Sequence, residues 1–246
     1  MKNVYKLLIL TIILTVYSCK EDEKPAVIPT TTFTHDRTFI ETNEDITFTN
    51  NSSDAVSYSW DFGDNSSPST SENPVHTYTT TGNFLITLTG TSETGDETIS
   101  TSTVTVGNRW TVGLGIEFIP FTDLNGDPWD DDDTGPDLFF GFAKATAQSF
   151  RPYTVTDGLD LVASDFPFGG TIPPANQEIL TNEDWAFIFI DNEDPQEDLT
   201  VSTVMASILV NPVTVESNKN YDDGTGTFVF QSIGFSFLVA FEIRAN

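Results

Sequence analysis

Two stretches of this chain concentrate side chains able to do chemistry, and in both the groups are carboxylates. The first is Asp123-Leu124-Asn125-Gly126-Asp127-Pro128-Trp129-Asp130-Asp131-Asp132-Asp133-Thr134-Gly135-Pro136-Asp137, and the second is Asp191-Asn192-Glu193-Asp194-Pro195-Gln196-Glu197-Asp198. Carboxylates this close repel one another, and a hard cation with several oxygen ligands removes that cost. The other reading is a pair of solvated acidic loops that aid solubility and discourage edge pairing. An EF-hand does not fit the first stretch. Asp123, Asn125 and Asp127 take its positions one, three and five, but Pro128 stands where glycine makes the turn and Thr134 where a bidentate glutamate is needed. Two acids flanking a sugar could also cleave a glycosidic bond, yet almost any pair of acidic loops meets that description. No His or Cys lies beyond residue 107, so Ser-His-Asp hydrolases, cysteine proteases and histidine-ligated zinc sites lack parts in this half. The chain therefore reads as a binding or structural protein, with a small carboxylate-dependent glycoside hydrolase or an accessory subunit of a glycan-uptake system as the alternative.

The segments that must hold these loops read as strands. Trp110 to Ile119, Leu138 to Ala145, Trp185 to Asp191, Leu199 to Val210, Thr227 to Gln231 and Phe235 to Arg244 are apolar and β-branched runs between turn-rich loops. Trp185 to Ile190 is apolar on both parities, which predicts a strand buried on both faces. Phe235, Phe237, Val239, Phe241 and Ile243 form a one-sided stripe. This half, residues 108–246, is a second all-β unit with 23 Asp or Glu against 5 Lys or Arg. Core packing is the first expectation for its tryptophans, and stacking on a sugar ring is the alternative for Trp110 and Trp129.

Ahead of it, about Phe33 to Val106 consists of short Thr-, Ser- and Val-rich runs of period two. They are broken by Asn50 to Ser53, by Gly63-Asp64-Asn65-Ser66 and by Thr94-Gly95-Asp96. Trp60-Asp61-Phe62-Gly63-Asp64, then Asn73-Pro74-Val75-His76-Thr77-Tyr78, then Gly82-Asn83-Phe84-Leu85-Ile86-Thr87-Leu88 occur in order. Residues 33–107 thereby resemble the polycystic kidney disease (PKD) domain. The resemblance implies an extracellular immunoglobulin-like sandwich that spaces, presents or adheres, closed around Trp60. Asn65 stands where that family usually has a second glycine, and Asn tolerates positive φ better than other side chains. His76 is expected to be structural, and Asp61 and Asp64 to cap the turn.

The acidic loops carry a second resemblance. A Pro-Asp strand start after one loop, and a strand ending Asp-x-acid before another acid, is similar to C-two-type calcium-binding sandwiches. That resemblance implies a Ca2+ site drawing on Asp130 or Asp131 and Asp137 from one loop and on Asp191, Glu193 and Asp198 from the other. Three departures stand against it: Leu138-Phe139 follows the aspartate, Glu193 replaces an Asp, and Asp191 and Asp198 are a residue closer than usual.

The start of the chain gives an address. Lys2 and Lys6 precede an apolar core from Leu7 to Val16 that is too short to span a bilayer, so residues 1–18 read as an export signal. Val16-Tyr17-Ser18-Cys19 resembles the bacterial lipobox, with Tyr17 larger than usual, and implies lipidation at Cys19, the chain's one cysteine. The run Lys20-Glu21-Asp22-Glu23-Lys24-Pro25 resembles the signal that some Gram-negative lineages use to send lipoproteins to the outer face of the outer membrane. Residues 19–32 read as a flexible acidic tether. With one cysteine no internal disulfide is possible, so stability rests on a core to which 20 Phe contribute. A net charge of −27 argues against nucleic acid as a partner. The expectation is two tandem β-sandwiches at the cell surface, membrane-bound through Cys19, with a polysaccharide or an extracellular protein as the partner.

Overall fold

The computed structural model describes residues 25–119, Thr122, Gly126, and residues 138–147, 151–154, 168–192, 202–232 and 235–245. Among them the extended elements are all strands, with a 3-10 turn at Pro174–Asn176, and no helix is long and apolar enough to cross a membrane. The protein is all-β.

In the first sandwich β1 (Phe33–His35), β3 (Asp45–Asn50) and β5 (Val75–Thr77) form one sheet. The facing sheet contains β4 (Ser57–Asp61), β6 (Gly82–Thr91) and the first half of β7 (Glu97–Phe118), with β2 (Phe39–Glu41) parallel to β7 at Thr105–Gly107. Strand alternation decides what is buried: Ile46 and Phe48 are fully covered while Asp45 and Thr47 face water. Trp60 sits at the centre, its ring centroid 5.1 Å from Phe33 and 5.5 Å from Phe48, and its Nε1 donates to the Ser71 carbonyl at 2.9 Å. Part of the expected tether is docked here. Thr30 pairs with Ser53, Val27 N–H donates to Thr94 Oγ1 at 3.4 Å, and Thr98 Oγ1 donates to the Pro29 carbonyl at 3.0 Å.

The second sandwich packs a four-stranded sheet, ordered β13 (Ser202–Val210), β12 (Trp185–Asn192), β8 (Leu138–Lys144) and β9 (Arg151–Thr154), against a larger one. The larger sheet runs β14 (Asn218–Lys219), β15 (Thr225–Ser232), β16 (Phe235–Arg244) and the second half of β7, which also pairs with β10 (Phe168–Thr171) and β11 (Ile179–Leu180). Phe142, Phe187, Phe189, Phe228, Phe237 and Phe241 fill the space between, with Phe189 and Phe237 4.8 Å apart. The stripe on β16 is as expected for Phe237, Val239, Phe241 and Ile243, which are buried, while Phe235 at its start is half-buried. On β12 the two-faced burial is partial. Trp185, Phe187 and Phe189 enter the core, Ala186 and Ile188 on the other face are half-buried, and Ile190, opposite Phe139 of β8, is buried apart from that core cluster.

The two cores share one strand. β7 is 22 residues long, roughly 70 Å at strand rise, and carries Val104 and Val106 in the first core and Leu114 and Ile116 in the second. Gly107 lies where the sandwiches meet, and a Cβ there would stand 2.3 Å from the Arg244 carbonyl oxygen. Any side chain would push β16 off β7.

Candidate functional site

The β8–β12 register decides where the acidic loops attach. Leu138, the first residue of β8, lies opposite Asp191 near the end of β12, and Asn192 lies opposite Ser202, the first residue of β13. The chain therefore leaves the first loop, enters the second and leaves it again at one end of the four-stranded sheet. Of the expected ligands, Asp191 is described in its main chain, while Asp130, Asp131, Asp137, Glu193 and Asp198 lie outside the described residues, as does Cys19. Among the described residues there is no group of three or more His, Cys, Asp or Glu side chains placed to hold a metal.

The turn after Trp60 is held by its own acids. Asp61 Oδ1 accepts from the Gly63 N–H at 2.8 Å and Asp64 Oδ1 from the Ser66 N–H at 3.0 Å. Gly63 (φ 76°) and Asn65 (φ 64°) take the left-handed conformations the turn requires. His76 Nε2 lies 2.8 Å from Asp64 Oδ2, with its ring stacked on Phe62 at 4.0 Å and edge-on to Tyr78 at 4.6 Å. Burial pushes the Asp64 carboxyl up, but bonds from Ser66 and His76 outweigh it and hold the group below its ordinary value. The Tyr78 phenol is pushed up by burial and then by the Asp64 and Asp61 charges. It stays protonated, and its Oη donates to the Phe62 carbonyl at 3.0 Å. Every polar group named here has a structural partner, so this is scaffold.

Among the described residues the densest buried charge lies between the sandwiches. Arg109 Nε and Nη2 donate to Glu41 Oε1 and Oε2 at 2.8 and 2.9 Å, and Nη1 donates to the Pro212 carbonyl at 2.6 Å. Lys219 Nζ donates to Glu41 Oε2 at 2.8 Å and to Glu44 Oε1 at 2.5 Å, and Glu44 Oε2 accepts from the Glu41 N–H at 2.8 Å. Two positive and two negative charges balance. Burial, the largest single influence on Glu41, pushes its carboxyl up, and Arg109 and Lys219 together outweigh it, leaving the group below its ordinary value. The Lys219 ammonium behaves in mirror image: burial pushes it down and Glu41 and Glu44 push it further up. The N–H groups of Thr38 and Phe39 donate to the Tyr221 carbonyl at 2.9 and 2.8 Å, and Arg37 covers the Tyr221 ring at 4.4 Å. Sequence reading missed this cluster. The available signal was scarcity: a second half with only 5 Lys or Arg makes each base a candidate ion-pair partner.

Among the described residues the outer face of the larger sheet is open. An open depression of about 530 Å³ is lined by Asn218, Asn220, Thr225, Thr227 and Glu242 among others, and adjoins one of about 520 Å³ over Gly113, Gly115, Gly169 and Leu238. Trp110, paired with Glu242 across the ladder, is half-buried with Arg244 5.9 Å over its ring. Trp185 is buried, and Trp129 lies outside the described residues.

Residues 26–106 match the family model of the PKD domain. The PKD1 domain of the Vibrio cholerae metalloprotease PrtV is 33% identical, over 32% of this chain and 98% of its own, with a TM-score of 0.28. The PKD1 domain of Vibrio anguillarum Epp is 28% identical over 32% and 94%, with a TM-score of 0.29. A structure of carbohydrate-binding modules from the β-sandwich superfamily aligns over 89% of this chain and 94% of its own at 12% identity and a TM-score of 0.32, too low to carry an argument. No curated protein matches the chain. The family model, together with the Trp60 core and the turn that Asp61 and Asp64 close, gives the assignment: residues 26–106 of this chain belong to the PKD domain family.

Proposed function

We propose that this is a lipid-anchored protein of the outer membrane, exposed at the cell surface. Its PKD domain is a fixed spacer, and its second sandwich is presented to a polysaccharide or extracellular protein. The observation that carries this reading is β7, which passes from one core to the other without a linker, locked by the Arg109–Glu41–Lys219 cluster. A spacer needs a joint that does not bend. The chain is also held at Thr94 and Thr98, beside the start of β7, so a membrane attachment through Cys19 leaves the second sandwich at the far end of that strand. Calcium at the acidic-loop end belongs to the same reading, supported by the shared attachment of both loops at Leu138 and Asp191.

The test uses the whole chain. Cys19→Ala should move it from the membrane to the soluble fraction. Spin labels on the two sandwiches should report one narrow distance distribution, and a broad or bimodal one would overturn the spacer. Millimolar calcium should raise the unfolding midpoint and chelator should reverse the rise. An unchanged midpoint removes the metal and leaves the spacer standing.

A further inference from the structure

Among the described residues, each sandwich takes into its core an aromatic side chain that belongs to the other. Strand alternation in β2 sends Ile40 to one face and its neighbours Phe39 and Glu41 to the opposite one. Ile40 is fully buried in the first core, whereas Phe39 packs against the second. Tyr221 returns the exchange: it sits in the hairpin between β14 and β15 of the second sandwich and packs against the first core. Both side chains have prepared seats. A Cβ on Gly224 would stand 2.7 Å from Phe39 Cδ1, so the glycine that its φ of 76° requires also leaves the space that Phe39 fills. The Tyr221 ring meets the Arg37 guanidinium at 4.4 Å and the Lys219 ammonium at 4.8 Å. The hairpin is tied to its own sandwich, where the Ile243 N–H donates to the Gly224 carbonyl at 2.7 Å and the Thr225 N–H to Asp223 Oδ1 at 2.9 Å.

We propose that this exchange makes the two sandwiches one cooperative unit, in which the state of the second is transmitted to the first. The shared strand does not require this. Val104 and Val106 serve one core and Leu114 and Ile116 the other, so β7 alone would leave each core complete on its own side of Gly107. Phe39 and Tyr221 remove that independence. Opening the second sandwich withdraws Tyr221 from the first core and takes Lys219 from Glu41 and Glu44. Opening the first withdraws Phe39 from the second core and takes Glu41 from Arg109 and Lys219. Each half-open state therefore contains both a cavity and an uncompensated charge, so opening runs through both cores together. A ligand that stabilises the second sandwich then also slows the opening of the first, whatever that ligand is.

Hydrogen exchange on the whole chain tests the coupling. Val239→Ala truncates a fully buried side chain of the second core, opposite Leu114 and Phe228, and should speed the slowest amides of that sandwich about tenfold. Coupling predicts the same factor for the slowest amides of β3 and β6 in the first sandwich. Phe39→Ala with Tyr221→Ala should abolish the transfer, so that adding Val239→Ala to that background speeds exchange in the second sandwich alone. Tyr221→Ala by itself, which leaves the second core whole, should weaken the transfer and decides the matter where the double variant does not fold. If Val239→Ala leaves β3 and β6 unchanged, or if the transfer persists undiminished in the Tyr221 variants, the proposal is overturned.

Discussion

Neutralising Glu41 isolates what the joint contributes. Glu41→Gln keeps the shape of the side chain and one acceptor but removes the charge shared by Arg109 and Lys219, whose side chains are 5% and 7% exposed. Lys219 retains Glu44, so the loss of charge falls on Arg109, which keeps the Pro212 carbonyl and the single acceptor left at position 41 but no negative partner. Removing one partner of a buried pair leaves an uncompensated charge at a cost of about 3–5 kcal/mol, and the surviving Lys219–Glu44 pair sets this case at the lower end. For a chain of this size that is a fall in Tm of roughly 6–12 °C. Denaturant unfolding of the whole chain, followed by Trp fluorescence, gives the free energy. A cycle combining Glu41→Gln with Arg109→Met should show strong coupling, because a neutral pair leaves no stranded charge. Glu183→Gln, in the solvent-exposed pair with Lys144, is the control and should change nothing measurable. If Glu41→Gln is no worse than that control, or the cycle shows no coupling, the joint is held by packing alone and the reasoning fails.

Two further outcomes follow from the same geometry. The carboxyls of Glu41 and Asp64 are lowered on folding, so their stabilisation is present above about pH 4.5 and is lost as pH falls through their folded values. Unfolding free energies should therefore decline on acidification below about pH 4.5, and Glu41→Gln should flatten that decline. Gly63→Ala should destabilise by about 1–3 kcal/mol, because φ is 76° and its Cβ would meet the Leu85 carbonyl oxygen at 2.6 Å, whereas Asn65→Gly should stay within about 0.5 kcal/mol of the parent in the same denaturation assay.

Strand content was legible where burial is one-sided. Ile46 and Phe48, or Phe237 through Ile243, alternate because one face meets a core, and period two records that. The turn after Trp60 was legible through Asp61, Gly63, Asp64 and Asn65, whose conformational needs are local. β10 was not, since Phe-Gly-Gly-Thr has little strand propensity and exists through pairing with Gly113–Ile116. Nor was the passage of β7 through Gly107-Asn108, which locally resembles a turn and is extended because β2, β6 and β16 pair on either side of it. The Arg109–Glu41 pair spans 68 residues, and no local pattern encodes such a meeting. The acidic loops were the most conspicuous chemistry in the sequence, and the described residues carry their attachment points at Leu138 and Asp191.

Under the proposed anchoring at Cys19 and capture of the second sandwich by a partner, load must pass through the chain, and the direction of β7 decides how. Tension between the segment docked at Thr94–Thr98 and the second sandwich runs along the strand, parallel to its neighbours β6 and β16 and perpendicular to the hydrogen bonds joining them. The rungs of each ladder are then strained together in shear, where a load applied across the sheet would break them one after another. Forced unfolding is governed by its barrier, so this chain should yield far more slowly when pulled end to end than its equilibrium stability alone would suggest.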